Sequence, residues 1–390
     1  MFSAVAAYML LPLVLVGRGM SRPETGYLLA IYAAAGALTQ MGIGRLSDRL
    51  GLRRPLVIAA ALVLAACFAV FLKMDGFGQY AALYFFGGAA FHTAGTALAA
   101  AIADWSSEGH RTATAFARAR LWGSAGYVVA LIALTRWVKS DSVIVAWAAG
   151  SYLLTALAMI PARESARHTR AALKLQSRAS ELVRDRNLAV FLVCFLLFKI
   201  AESASNAFVA LRLDQLGGSR ALIAWALAIN AIAEIPLLGL AGPLSERIGR
   251  RPVLLVALLV LPLRMAAYAS IPTAAWVFPV QLFHGLTFGF MSVASVAYVA
   301  DRAPDDLRAT AQGLLRMAMA AGMCIGPLAG GMVLAATNSM PALFWVLGGV
   351  VALGAAVFAL FVAESLPGAS VKSGGIFGRI AAHPISRMKQ

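Results

Sequence analysis

Charge is scarce in this chain, and acidic charge is scarcest. Of its 390 residues, 17 are Asp or Glu and 33 are Lys or Arg, 13% in all, while 61% are hydrophobic. A soluble globular domain carries roughly 25% charged residues, so water is not the main solvent of this fold. Only three cysteines occur, Cys67, Cys194 and Cys324, each inside an apolar run and none in a C-x-x-C spacing. That excludes a disulfide framework, a thiol redox pair and cysteine metal ligation, and leaves packing as their role. No Gly-x-x-x-x-Gly-Lys-Ser/Thr loop is present. Gly322, Gly326, Gly330 and Gly331 cluster around Pro327 in apolar surroundings, which reads as close helix packing at a proline bend. Work driven by nucleotide hydrolysis on this chain is excluded, and neither a cofactor nor a metal is expected.

What the chain has in abundance is long apolar runs. A run of ~20 apolar residues spans a bilayer core, and twelve can be placed, starting near Met1, Thr25, Pro55, Gln79, Phe116, Val143, Leu188, Arg220, Pro252, Ala274, Thr310 and Pro341. The first is short. It lacks the basic flank and small-residue cleavage site of a signal peptide and is read as a helix.

The net charge of +16 would suit a nucleic-acid partner, but its distribution argues otherwise. Most of the Lys and Arg fall in alternate loops and in the C-terminal tail, the positive-inside pattern of a membrane protein. Both termini and the even-numbered loops are therefore expected in the cytoplasm, with the basic excess facing lipid headgroups of a bacterial inner membrane. No nucleic-acid partner is expected. The runs divide into halves at 1–161 and 188–363. A basic stretch at 162–187, read as a surface-lying helix or flexible linker, joins them, and a tail rich in Gly, Ser and Lys follows at 364–390.

The halves are copies of one unit. Gly44-Arg-Leu-Ser-Asp48-Arg49-Leu-Gly-Leu-Arg53-Arg54 matches Gly242-Pro-Leu-Ser-Glu246-Arg247-Ile-Gly-Arg250-Arg251, with Pro55 and Pro252 closing the blocks. Asp104 and Asp301, then Arg111 and Arg308, repeat the same offset to within one residue. Two homologous membrane halves are typical of solute carriers.

An ionisable side chain at mid-membrane costs at least roughly 2.5–3.5 kcal/mol, so those that remain are functional candidates. In the fifth run Arg120, Ser124 and Tyr127 share one helical face. The seventh carries Lys199, Glu202, Ser203 and Asn206; the eighth Asn230 and Glu234; the ninth Arg264; the tenth a stripe of Gln281, His284, Thr287, Met291, Ser295 and Tyr298. Lys199 and Glu202 are spaced to neutralise each other within one helix. Glu234 and Arg264, on neighbouring helices, are expected to form an ion pair with a functional role. His92 lies near Thr93 and Thr96 in the fourth run.

The two basic blocks resemble the signature of the major facilitator superfamily. The resemblance implies an all-α integral membrane protein of twelve transmembrane helices, in two six-helix halves related by pseudo-two-fold symmetry. It also implies a conformational latch made by Gly44, Asp48, Arg49, Arg53, Arg54, Glu246, Arg247, Arg250 and Arg251, with Asp104 and Asp301 as partners. Within the superfamily, Arg118-Ala-Arg120-Leu-Trp-Gly-Ser, Ala233-Glu234, Pro262-Leu263-Arg264 and Leu282-Phe283-His284 resemble motifs of the group containing the lactose permease, phenylpropionate permease and nucleoside:proton symporters.

That resemblance implies Arg120, Tyr127 and His284 as solute contacts and Glu234 and Arg264 as proton-coupling residues; the polar residues beside them in the spans add Ser124 and Asn230 to the first set and Glu202 and Lys199 to the second. Two positions depart from the lactose permease. Thr287 stands where its proton-carrying glutamate falls, and Ile102 where its helix-four acid falls, so galactoside recognition is not expected. The expected activity is proton-coupled symport of a small organic solute by a monomer, a carboxylate first and a nucleoside or sugar next. Drug:proton antiport is the alternative, although its Gly-Pro motif is missing from the fifth run and Gly-Pro-Leu-Ala-Gly-Gly stands in the eleventh. A non-transporting sensor or a lipid-modifying enzyme would need a signalling domain or a nucleophile constellation, and the sequence shows neither.

Overall fold

The computed structural model describes residues 2–50, 53–107, 112–137, 140–162, 182, 184–304 and 307–366. Helices α1 (Phe2–Tyr8), α2 (Leu11–Gly17), α3 (Arg22–Leu50), α4 (Arg53–Phe71), α5 (Phe77–Ser107), α6 (Thr112–Trp137) and α7 (Asp141–Met159) form the first half. The second half holds α8 (Arg186–Gln215), α9 (Arg220–Ile248), α10 (Arg250–Ser270), α11 (Val277–Leu282), α12 (Phe290–Arg302), α13 (Arg308–Thr337) and α14 (Met340–Phe361). Each expected run meets a helix that starts close by.

Two runs are not single helices. The first breaks at Met9–Leu10 into α1 and α2, with Pro12 in the opening turn of α2, where its missing N–H costs nothing. The tenth is a 3₁₀ turn (Ala274–Trp276), α11, a π-helical turn (Gly285–Gly289) and α12. Among the described residues, eight spans are long and apolar enough to cross a membrane. Helices α3, α5 and α6, at 29, 31 and 26 residues, also have the length. Leu360, Leu263 and Leu154 are 77%, 68% and 67% exposed, an outward apolar face that suits lipid rather than water.

Helix ends are set by local chemistry. Ser21 and Glu24 form a capping box at the start of α3, with Ser21 N donating to Glu24 Oε2 at 2.8 Å and Glu24 N to Ser21 Oγ at 3.3 Å. Asp185, Ser219 and Ser339 cap α8, α9 and α14. Gly249, at φ +105°, makes the sharp break between α9 and α10 that an L side chain would strain.

The packing carries the two-fold relation read from the repeated blocks. In the first half α1 packs on α6 and α7, α3 on α5, and α4 on α5 and α7. In the second, α8 packs on α13 and α14, α9 on the α11–α12 span, and α10 on that span and on α14. Each pairing has its counterpart. The seams between halves, α3 with α13 and α6 with α9, exchange under the same operation.

At the α3–α13 seam, a Cβ on Gly26 would stand 2.7 Å from Phe208 Cζ and the Pro327 carbonyl, and one on Gly331 would stand 2.9 Å from the Pro23 carbonyl. Gly322 and Gly326 meet Lys199, Ile200 and Ser203 of α8 just as tightly. The glycine cluster is therefore a packing surface, as its surroundings implied. Near this end Arg220, at the start of α9, bridges to Asp141 at the start of α7, so an ion pair also ties the halves.

Candidate functional site

The buried polar groups of the second half converge. Arg264, in α10, is 4% exposed, and the π-helical turn and its flanks bring Gln281, His284 and Thr287 around it. Its Nη1 donates to Thr287 Oγ1 at 2.7 Å and faces His284 Nδ1 at 3.2 Å. Its Nη2 donates to Tyr268 Oη at 2.8 Å and to Gln281 Oε1 at 3.4 Å, and Tyr268 Oη donates to the same Gln281 oxygen at 2.8 Å. A guanidinium only donates, so Nδ1 of His284 is the acceptor and the ring proton belongs on Nε2. That nitrogen points at Glu234 of α9, 3.8 Å from Oε2.

The expected Glu234–Arg264 ion pair is replaced by this relay. Four oxygen and nitrogen acceptors on nearer elements take up the guanidinium, and the imidazole stands between it and the acid. Thr287, where the sequence puts a hydroxyl rather than an acid, accepts from Arg264 Nη1.

Two more groups reach the cluster. Lys199 and Glu202 of α8 form the intrahelical pair expected from their spacing, both buried, with Glu202 Oε1 unbonded among the described residues. The Lys199 Nζ lies 5.5 Å from the Phe288 ring, which stacks on His284 at 5.4 Å with 6° between planes. On the first-half side, Tyr127 is half-buried on α6, the helix that packs on α9. Asn230 sits one turn before Glu234 with a buried Oδ1 that lacks a hydrogen bond among the described residues. Arg120 and Ser124 are on α6, but their side chains lie outside the described residues.

A cavity of about 330 Å³ opens at the other seam, between α3, α5 and α13. His92 and Thr96 of α5 face it, together with Arg316 and Met323 of α13.

At the end bearing the basic blocks, Arg250 Nε meets Asp301 Oδ2 at 3.1 Å, and Arg250 Nη1 donates to Ser245 Oγ at 2.9 Å. The Glu364 carboxylate accepts the backbone N–H of Arg250 at 2.9 Å and of Arg251 at 3.0 Å, capping α10 from the far end of the chain. The Arg251 side chain donates to the carbonyls of Val362 at 2.7 Å and Ala359 at 2.6 Å. Glu246 and Arg247, expected in the latch, are exposed and make no ion pair among the described residues. As the last turn of α9, they point away while the break at Gly249 turns the next two arginines inward. In the first half Arg53 is buried and Arg54 half-buried at the start of α4. Gly44, Asp48, Arg49 and Asp104 lie on α3 and α5 with side chains outside the described residues.

The description "MFS_1 like family" matches residues 1–346. The chain belongs to that family, within the major facilitator superfamily. It is 28% identical over 268 residues to a maltose permease of Geobacillus stearothermophilus, covering 67% of this chain and 66% of that one. It is 31% identical over 140 residues to the multi-drug resistance efflux pump PmrA homolog of Lactococcus lactis, covering 36% and 34%. The chain thus spans less than two thirds of the length of these curated relatives. The crystal structure of the nucleoside transporter NupG superposes with a TM-score of 0.79 at 16% identity, covering 92% of this chain and 95% of that one, which shows a shared fold. Family members of this kind are transporters, not enzymes.

Four members of these networks escaped the sequence reading. Tyr268 follows Arg264 by one helical turn, and that spacing would have found it. Arg316 lies inside the eleventh apolar run, six residues past Thr310, and is not singled out there. Glu364 opens a tail whose composition suggested no ordered role. Asp185 holds Arg302 with a two-point bond at 2.7–3.0 Å, joining the start of α8 to the end of α12. No spacing rule predicts such a pairing.

Proposed function

We propose that the chain is a proton-coupled symporter that takes up a small organic solute by alternating access, a carboxylate being favoured and a nucleoside or sugar next. The observation that carries the reading is the relay Glu234–His284–Arg264, in which a half-buried acid meets a buried imidazole and a buried guanidinium across three spans. A carboxylate set beside an imidazole inside a membrane span has the composition of a proton relay. Protonation removes the charge that faces His284 beside the α6–α9 seam. Solute contacts come from Arg120, Ser124, Tyr127, Asn230 and His284, with Glu202 and Lys199 as a secondary charge pair.

The units of motion are 1–161 and 188–363, joined by 162–187. The α3–α13 glycine contacts and the Arg220–Asp141 pair support a state closed at the outer end and open toward the cytoplasm. We place the protein in the bacterial inner membrane as a monomer with both termini cytoplasmic, on the positive-inside pattern. Drug or metabolite:proton antiport is the second reading, favoured by the identity to the PmrA homolog.

Reconstitution into proteoliposomes tests the proposal. Glu234→Gln should abolish uphill, pH-gradient-driven accumulation while any solute binding that remains becomes less dependent on pH. Normal accumulation by the variant would move the proton site elsewhere or exclude the proton as the coupling ion. Accumulation driven by an outward-directed gradient would favour the antiporter.

A further inference from the structure

We infer that Arg316, with His92 and Thr96, forms a binding site for the carboxylate of a solute with an apolar body; this rests on the transport reading above and names the solute class. Arg316 lies eight residues into α13, about 12 Å from its start at 1.5 Å per residue. It is exposed to the cavity and has no hydrogen-bond or ion-pair partner among the described residues. A cation at that depth is costly to keep, and its side chain presents a planar two-point donor that suits a carboxylate.

The cavity around it is built to match. Thr96 supplies a hydroxyl, and His92 lies against α3 where residue 36 is glycine; a Cβ there would overlap the imidazole ring. Among the described residues no acidic side chain lines the space, so their field favours an anion. The remaining walls are apolar and include Ala33, Met319 and Met323, and methionine adapts to varied apolar shapes. At about 330 Å³ the cavity is at the small end of ligand pockets, which run roughly 300–1,000 Å³. It sits on a seam between the halves, where a bound solute touches both moving units.

The repeat supplies an independent argument. The offset that relates Arg111 to Arg308, next to the starts of α6 and α13, places Arg118 opposite Leu315, one residue before Arg316. Both halves therefore carry an arginine within one residue of the same level of equivalent helices, α6 and α13. The carboxylate site stands on α3, α5 and α13, whereas Glu234 and His284 stand on α9 and the α11–α12 span. The solute's charge and the proton-bearing acid are thus held on separate elements.

Binding of phenylacetate, with its neutral analogue phenylacetamide as control, to the full chain in lipid nanodiscs tests the site by calorimetry and thermal shift. Wild type should bind the acid and not the amide. Arg316→Gln should weaken phenylacetate at least tenfold, and Thr96→Val about threefold, with melting of the unliganded protein unchanged. Should Arg316→Gln fail to fold, Arg316→Lys keeps the charge without the fork and should still lose several-fold. Equal affinity in wild type and either Arg316 variant, equal binding of acid and amide, or no binding of phenylacetate by wild type overturns the site. Loss of binding in Arg120→Lys with normal binding in Arg316→Gln overturns the site and leaves the transport reading standing. Arg316-dependent binding of phenylacetate without proton-driven uptake would uphold the site and sink the symport reading.

Discussion

The Nε2 of His284 faces Glu234 Oε2 at 3.8 Å while Nδ1 of the same ring faces Arg264 Nη1 at 3.2 Å, so the imidazole stands between the acid of α9 and the arginine of α10. The acid and the ring are too far apart for a direct hydrogen bond. They are close enough that a change of charge on either group alters the field at the other, and the α6–α9 seam lies beside them.

The imidazole should therefore matter through its orientation. His284→Gln leaves the Arg264–Thr287 and Arg264–Tyr268 bonds possible but removes the ring between Arg264 and Glu234. Solute binding should persist within about tenfold while proton-driven accumulation falls by a larger factor, as measured in the same proteoliposomes. Glu202→Gln, which breaks only an intrahelical pair, should do less. Equal losses in both variants would place the coupling acid on α8.

Arg120→Lys should weaken solute binding by at least tenfold in a folded protein, because lysine retains the charge and loses the two-point fork. Binding and melting are measured together. Wild-type affinity in this variant would remove Arg120 from the site.

At the end carrying the basic blocks, the structure reassigns the acids. Asp301→Asn or Glu364→Gln should slow transport and shift single-cysteine labelling toward cytoplasm-open states, as Asp48→Asn should in the first half. Glu246→Gln should leave both unchanged, since that side chain is exposed and unpaired among the described residues. Glu364→Ala should also cost about 1–2 kcal/mol of stability, the usual cost of losing a helix cap. A Glu246 variant slower than the Asp301 variant would restore the sequence-based assignment.

Asp185 gives a pH dependence with a definite sign. Burial alone would raise its carboxyl, but the Arg302 bonds and the N–H groups of Leu188 and Asn187 hold it below the ordinary carboxylate range. A depressed folded value stabilises the fold above the unfolded value, near 3.9, and that stabilisation is lost as pH falls through the folded value. Asp185→Asn should therefore melt earlier than wild type at pH 6, by about 1 kcal/mol, with the gap closing below about pH 4. A gap that stays constant down to pH 3 would mean the bond contributes nothing through its charge.

Composition and repetition alone determined the class of molecule, the twelve apolar runs, the duplicated halves and the identity of the polar intruders Lys199, Glu202, Glu234, Arg264 and His284. Those are local signals: hydropathy over a span, spacing on one helical face, and one offset that recurs. What they do not contain is who faces whom. Arg264 has Thr287, His284 and Gln281 for partners rather than Glu234 because α10 packs on the tenth span at its π-helical turn and flanks, which present that polar stripe to it. Glu364 became a cap and Glu246 did not, because Gly249 reverses the chain where α14 ends. Arg316 is not singled out inside the eleventh run until α3 and α5 are seen to leave a cavity beside it. Partners in a helical bundle come from residues distant in the chain, and only close packing in three dimensions brings them within the few ångströms over which hydrogen bonds and ion pairs act.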